Sequence, residues 1–298
     1  PKEIGERIRA SWDADELSLY GRFDFILAKD GTPKILEFNA DTPTSLLEAS
    51  VIQWQWKEDV FPECDQFNGI HEGLVQSWKD IFPKKGEIHF AGALENNEDT
   101  GTLQYLASTA MEAGFSTRVL DMQALDLQNG RFFDPAGELV NRCFKLYPWE
   151  WMVDESPDGC LAEMEWLEPI WKLVMSNKAI LATLYELFPD SPYVLPCYLS
   201  RPRSGLFCKK PVFSREGHNV SVVDIRDWEE YVRIAETEGD YNTGAYVYQE
   251  YAEPTAYSGR YPVIGSWIIG GEAAGIGIRE NRMEVTDNLS EFVPHIIG

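Results

Sequence analysis

The stretch GRFDFILAKDGTPKILEFNADTPT, Gly21–Thr44, decides how this chain is read. Hydrophobic and polar residues alternate on both sides of Asp30-Gly31, and Asp-Gly between alternating runs signals a β-hairpin. Centred on that turn, Phe23 faces Phe38 and Phe25 faces Leu36 on an apolar face. The other face carries Asp24 opposite Glu37 and Arg22 opposite Asn39, because strand side chains alternate between faces. Two opposed carboxylates repel, so the pair implies a cation between them or a protonated carboxyl. Asp24, Glu37 and Asn39 all offer oxygen ligands, the set preferred by Mg²⁺, which also keeps waters and substrate phosphates. Arg22 beside them suits a phosphate or carboxylate oxygen. On pattern alone, a solvated polar face accounts for the alternation equally well.

The hairpin runs into Ala40–Ser45, where Asp41, Thr42, Thr44 and Ser45 are small hydrogen-bonding residues before a helical stretch. The free N–H groups and positive dipole of a helix start suit a substrate carboxylate. Ordinary N-capping by Thr44 or Ser45 explains them by itself.

Bulk properties narrow the partners. A net charge of −23 over 298 residues lacks the basic footprint of a nucleic-acid binder. It favours cationic partners such as polyamines, or simply solubility. Five cysteines, with no C-x-x-C pair, fit free thiols in a reducing compartment and argue against structural zinc. The four histidines are scattered, without H-E-x-x-H. Val263–Ile278 is the nearest approach to a membrane span. Gly265, Gly270, Gly271 and Glu272 break it into two strands about a Gly-Gly turn. No signal peptide is visible, so a cytoplasmic location with no membrane partner is expected. The chain opens at Pro1 rather than Met, which leaves room for a segment upstream.

Outward from the hairpin, Lys2–Trp12, Ser45–Trp56 and Asn68–Ile81 read as helices. Ile88–Leu94 reads as a strand, Glu95–Gly101 as a polar loop, Thr102–Ala113 as a helix closed by Gly114, and Ser116–Leu120 as a strand. This β-loop-α-β order predicts parallel strands with a ligand-binding loop at the carboxyl end of the first. Leu125–Lys145 reads as short strands about Asn129-Gly130, and Glu163–Leu187 as helical, interrupted near Pro169. Later strands are expected at Gly205–Pro211, Asn219–Val223, Tyr246–Tyr251, Val263–Ile269 and Ala274–Arg279, with a helix at Arg226–Glu236. Trp149 and Trp151 read as core. The overall class is α+β and α/β in one polypeptide with mixed sheets.

At this point the residues become familiar. GRFDF and ILEFNADTPTSLLEA resemble the glutathionylspermidine synthetase (synthetase-domain) family of ATP-grasp ligases. FKLYPWEWM at Phe144–Met152, SNKAIL at Ser176–Leu181 and KKPVFSREGHNV at Lys209–Val220 follow in order. So do YQEY at Tyr248–Tyr251, IGSWIIGGEAAGIGIRE at Ile264–Glu280 and SEFVPHII at Ser290–Ile297. The resemblance covers nearly the whole chain and is greatest to stand-alone members lacking the amidase domain. It implies an ATP-grasp fold in permuted order with a Rossmann-like pre-ATP-grasp subdomain. Residues 1–84 would hold the metal-site hairpin, 85–150 the Rossmann-like unit and 151–298 the nucleotide-binding part. The chemistry implied is an ATP-dependent amide ligation through an acyl phosphate. In the named enzyme the acid is the glycine carboxylate of glutathione and the amine is spermidine.

Carried over position by position, the resemblance makes Asp24, Glu37 and Asn39 the Mg²⁺ ligands and Arg22 the arginine near the transferred phosphate. Thr42 and Thr44 fall near the peptide substrate, where the family often has Ser, which weakens a glutathione assignment. Lys178 and Lys210 match the lysines holding ATP. Arg215 matches the loop closing over the phosphates, Gln249, Glu250 and Tyr251 the hinge against adenine, and Arg279 a late active-centre arginine. Lys209 and Lys210 lie on opposite strand faces, so only one reaches the nucleotide, and Lys210 is the choice. Glu98 or Asp99, in the acidic loop at the strand end, would bind the cationic amine. Each has a plainer reading: an exposed strand pair, a turn, a helix-dipole partner or a solvated loop.

Overall fold

The computed structural model describes residues 1–215, 217–227, 231–239, 241, 244–282 and 290–298. The hairpin joins strands Tyr20–Leu27 and Pro33–Asn39. Gly31 sits at φ +80°, a conformation that costs glycine little. Its N–H donates to Ala28 O at 2.8 Å, and Thr32 N–H donates to the Asp30 carboxylate at 2.9 Å. Arg22 pairs with Asn39, Phe23 with Phe38 and Asp24 with Glu37, as expected. Phe25 then pairs with Ile35 rather than Leu36, because the register shifts after Asp24. The bulge leaves Leu36 as the extra residue and brings it to the same cavity as Glu37.

Around this hairpin grows an antiparallel sheet of order Glu291–Val293, Glu272–Asn281, Tyr261–Ile269, Tyr20–Leu27 and Pro33–Asn39. Gly270 and Gly271, both at positive φ, make the expected Gly-Gly turn. A second antiparallel sheet, ordered Cys197–Tyr198, Tyr246–Glu250, Gly205–Pro211, Ser221–Ile225 and Tyr231–Glu236, faces the hairpin across a cleft. The helix expected over Arg226–Glu236 is corrected here. Tyr231–Glu236 is an exposed edge strand paired with Ser221–Ile225, and residues 228–230 lie outside the described residues. Tyr231, Val232 and Ile234 favour strand, and the open edge of the neighbouring ladder supplies the partner.

The third sheet is parallel throughout: Ser116–Asp121, Glu87–Gly92, Arg142–Leu146 and Glu165–Leu167. Its crossover helix is Asn97–Glu112, which begins earlier than the sequence suggested. Asn96 caps it by accepting N–H groups from Glu98 and Asp99. Glu98 and Asp99 therefore sit on a first helical turn, not in a loop. Glu163–Leu187 is also corrected: it holds the strand Glu165–Leu167 and the short helices Lys172–Met175 and Ile180–Leu187. The strand draws residues beyond 150 into the parallel sheet.

Three strands, Asp126–Gln128, Arg131–Phe133 and Leu139–Val140, form a small separate sheet. Helices Lys2–Asp13 and Ile70–Ile81 match their expected positions. The stretch after the hairpin is helical but contains a π-helical turn, Glu48–Ile52, before Gln53–Val60.

One core joins the parallel sheet to the first antiparallel sheet. Ile88, Phe90 and Phe144 pack with Tyr20, Trp267 and Ile269 through Leu74 and Trp78 of the Ile70–Ile81 helix. Trp149 is fully buried in a neighbouring core, whereas Trp151 is 39% exposed and is not core. All five cysteines are free thiols. No helix among the described residues is long and apolar enough to cross a membrane.

Candidate active site

Fifteen residues carry an expected metal, nucleotide, phosphate or substrate role, and all fifteen line one cavity of about 270 Å³, whereas Asp41 and Ser45 do not. Its floor is the polar face of the hairpin. Its roof is the sheet containing Gly205–Pro211, and its far wall is the start of the Asn97–Glu112 helix with Tyr147, Pro148 and Trp151.

Asp24 is buried, and three donors converge on it. Arg22 Nε reaches Oδ1 at 2.6 Å, and Oδ2 accepts from Arg22 Nη2 at 3.0 Å, Arg279 Nη2 at 2.7 Å and Asn39 Nδ2 at 3.2 Å. Arg22 also donates to Thr44 O and lies over the Trp267 ring. Gly265 pairs with Asp24 across the sheet, and a Cβ there would come within 2.7 Å of Arg22 Cδ. Glycine at 265 thus makes room for the arginine. Burial works against charge on Arg22, but Asp24 prevails and the guanidinium pKa is raised. Burial, with Arg22 adding to it, lowers that of Arg279.

Glu37 meets Lys178 Nζ at 3.0 Å through Oε2, while Oε1 accepts from Asn39 Nδ2 at 3.3 Å. Burial pushes its carboxyl up, and Lys178, Lys210 and Arg22 together pull it down to about 2. Lys178 stands between the two short helices and also donates to Ser214 O at 2.7 Å. The repulsion expected between Asp24 and Glu37 is therefore relieved by side-chain cations, so their opposition does not of itself demand a metal. No group of three or more His, Cys, Asp or Glu able to hold a metal occurs among the described residues. Two carboxylates and one amide are nonetheless an all-oxygen donor set of the kind Mg²⁺ takes when substrate phosphates complete its shell.

The bulge ties floor to roof. Lys210 Nζ donates to Leu36 O at 3.1 Å and to Gln249 Oε1 at 2.7 Å, and Gln249 Nε2 donates to Ile35 O at 2.9 Å. Lys209, on the other strand face, lies 3.8 Å from the centre of the Tyr246 ring. Along the segment read as hinge, Glu250 N–H donates to Pro196 O and Tyr251 N–H to Leu206 O. Those two amides are occupied, and the next residue, Ala252, lines the cavity.

Arg215 bridges the cleft. Its Nη1 donates to Thr42 Oγ1 at 2.5 Å, its Nη2 to Glu150 Oε1 at 2.8 Å, and its guanidinium lies over Trp151. Glu216 in the same loop lies outside the described residues. Glu98 and Asp99, on the first turn of the Asn97–Glu112 helix, line the same cavity. Cations gather around Asp24 and Glu37, and the acidic pair comes from a different element of the lining. This local arrangement overrides the net negative charge of the chain where an anion would bind.

Glu150 and Lys145 have no assigned role in the sequence, Trp151 is expected in the core, and Asp41 is expected only as a small hydrogen-bonding residue; all four belong to the site neighbourhood. Glu150 and Trp151 sit at the start of Trp149–Glu155, inside the quoted FKLYPWEWM motif, where two tryptophans drew the eye toward core. Asp41 and Lys145 form a buried ion pair at 2.6 Å, and Asp41 also accepts Trp149 N–H at 2.8 Å. Nothing local in the sequence brings residues 41 and 145 together.

The chain is similar to known proteins over its whole length. The family model described as glutathionylspermidine synthase preATP-grasp matches residues 1–298. A Haemophilus influenzae protein named "Putative acid–amine ligase" is 39% identical over 97% of this chain and 77% of its own length. Trypanothione synthetase of Crithidia fasciculata is 28% identical over 98% of the chain. The bifunctional glutathionylspermidine synthetase/amidase of Escherichia coli is 26% identical over 100% of it. The chain spans about half the length of these last two relatives, 49% and 52%. Among solved structures, a Methylobacillus flagellatus protein titled "Putative gamma-glutamylcysteine synthetase" matches with a TM-score of 0.62 at 10% identity. That match covers 99% of this chain and 84% of the other. With a family model spanning the full sequence, the chain belongs to the glutathionylspermidine synthase preATP-grasp family.

Proposed function

We propose that this chain is an ATP- and Mg²⁺-dependent ligase that joins a carboxylate to an amine through an acyl phosphate. One observation carries the reading. Arg22, Lys178, Lys210, Arg215 and Arg279, from distant segments, converge on one cavity with the oxygen donors Asp24, Glu37 and Asn39. Phosphoryl transfer depends chiefly on positioning and charge neutralisation, which such a set supplies. Relatives named acid–amine ligase, trypanothione synthetase and glutathionylspermidine synthetase support the amide-forming class.

In this reading the nucleotide lies between the lysines and the Gln249–Ala252 segment, in the cleft of a permuted ATP-grasp clamp. Asp24, Glu37 and Asn39 would hold Mg²⁺, whose chemistry there is to neutralise phosphate oxygens. Asn39 turns its amide nitrogen toward both carboxylates, so offering oxygen requires the amide to flip. Arg22 and Arg279 stabilise charge on the transferred phosphoryl group. Thr42 and Thr44 receive the acid, and Glu98 and Asp99 bind the protonated amine at the far wall. The amine attacks the acyl carbon after losing a proton, and phosphate leaves. The substrate pair favoured is a peptide such as glutathione with a polyamine such as spermidine, acting in the cytoplasm.

ADP release measured across a panel of acids and amines tests this. ADP formed only when both glutathione and spermidine are present supports the full proposal. ADP with a different pair keeps the ligase and changes its substrates. Nucleotide binding without ADP from any pair overturns the ligase reading.

A further inference from the structure

Beside the main cavity runs a small side cleft, and Thr42 and Arg215 line both. Glu150 lines only the side cleft. Glu150 lies on the helix Trp149–Glu155, between the strands Arg142–Leu146 and Glu165–Leu167 of the parallel sheet, and Arg215 on a loop of the roof sheet, so their 2.8 Å ion pair spans the cleft. The pair is made by one tooth only. Arg215 Nε and Glu150 Oε2 are both buried and both lack a hydrogen-bond partner among the described residues. A guanidinium and a carboxylate can engage through two parallel bonds. Here one donor and one acceptor are left over, and each unpaired buried polar atom is destabilising. Arg215 is thus better satisfied by an anion offering two oxygens than by Glu150 as placed.

We infer that Glu150 is a positioning residue, a releasable tether that occupies Arg215 until an anionic substrate group displaces it. The inference rests on the ligase reading only in taking Arg215 as an anion-binding residue. Glu150 is then an internal competitor of the substrate carboxylate. The tether also fixes Arg215 between Thr42 and Glu150 in the absence of substrate.

Two measurements on the full chain test this, using Glu150→Gln with Glu150→Asp as the conservative control. The first is the rate of trypsin cleavage after Arg215, followed by mass spectrometry without substrates. Glu150→Gln should speed it about five-fold, the scale of a partly exposed ion pair, and Glu150→Asp should restore most of the protection. The second is steady-state kinetics with ATP, glutathione and spermidine. Losing an internal competitor should lower KM for glutathione about five-fold while kcat changes less than about two-fold. An aligning or purely structural role predicts the reverse, a raised KM with a fall in kcat, and that outcome refutes the tether. An unchanged cleavage rate refutes it too. Cleavage needs no substrate, so absence of turnover with every acid and amine sinks the ligase reading while leaving the tether test decisive.

Discussion

Two buried clusters of charge lie a few residues apart along the chain, and they are built on different plans. In the first, Lys145 gives its ammonium to Asp41 and to Tyr147 O, and Lys172 binds Glu168, Tyr20 O and Ala40 O. Glu168 in turn accepts the N–H groups of Leu19 and Tyr20. Every one of these charges is sealed by backbone partners, and none lines the main cavity. In the second, Asp24 is shared among Arg22, Arg279 and Asn39, and Lys178 and Lys210 reach Glu37 and Gln249 while bordering open space. Burial and ion pairing are common to both. What separates a site from a structural staple is sharing: the second cluster has more cations than carboxylates to satisfy them, and the excess faces a cavity.

The comparison can be broken at several points. The largest effect is expected in the sealed cluster. Lys145→Ala strands Asp41 in the interior and should destabilise the fold by about 3–5 kcal/mol in denaturant unfolding. A loss near zero would mean the cluster is not sealed. Glu37→Ala, in the open cluster, should cost chiefly activity: turnover falls by about 10²–10³-fold, while stability falls by less than in Lys145→Ala, because Lys178 borders the cavity and keeps Ser214 O. Activity surviving at ordinary Mg²⁺ would remove Glu37 from the metal set. Lys210→Ala should raise KM for ATP by about ten-fold, seen in initial-rate kinetics at saturating acid and amine.

The two clusters should also titrate in opposite senses. Glu37 is held near 2 against burial by Lys178, Lys210 and Arg22. Its contribution is present above its ordinary pKa, about 4.5, and is lost as pH falls from there toward 2. Burial raises Glu168, so its contribution is full below the ordinary value and is lost as pH rises through its folded-state pKa. Unfolding free energies across pH should therefore flatten below the ordinary carboxylate pKa in Glu37→Gln and above it in Glu168→Gln. Matching slopes in the two variants would erase the distinction. The smallest effect is reserved for Lys209→Ala. Its ammonium rests on Tyr246 and does not line the main cavity, so KM for ATP should change by less than about two-fold.

The hairpin shows how far the sequence could be read. Strand periodicity and the Asp-Gly turn placed Arg22, Asp24, Glu37 and Asn39 on one face correctly, because each lies on the same side of the bulge. They failed at Phe25, since a single inserted residue leaves no mark in an alternating pattern. The strand Glu165–Leu167 was missed for a different reason: three residues are too few to show a period, and only the waiting edge of Arg142–Leu146 makes them a strand. The early start of the Asn97–Glu112 helix was legible, since Asn96 with Asp99 three residues on is a capping pattern. Asp41 with Lys145, and Glu150 with Arg215, were not, because their meeting depends on how whole sheets are stacked. Roles for Lys178, Lys210, Arg215 and Arg279 came only through resemblance. No property of Lys178 in its own segment points to Glu37.

Strand order has a consequence for how the molecule is made. Tyr20–Leu27 lies between Pro33–Asn39, its immediate successor, and Tyr261–Ile269, which leaves the ribosome last but for two strands. Through most of synthesis the hairpin has one edge without its ladder and two facing carboxylates without Arg279. An exposed strand edge is a template for mispairing. The like charges of Asp24 and Glu37, which make the site, also make that waiting edge a poor surface for a stray strand to join.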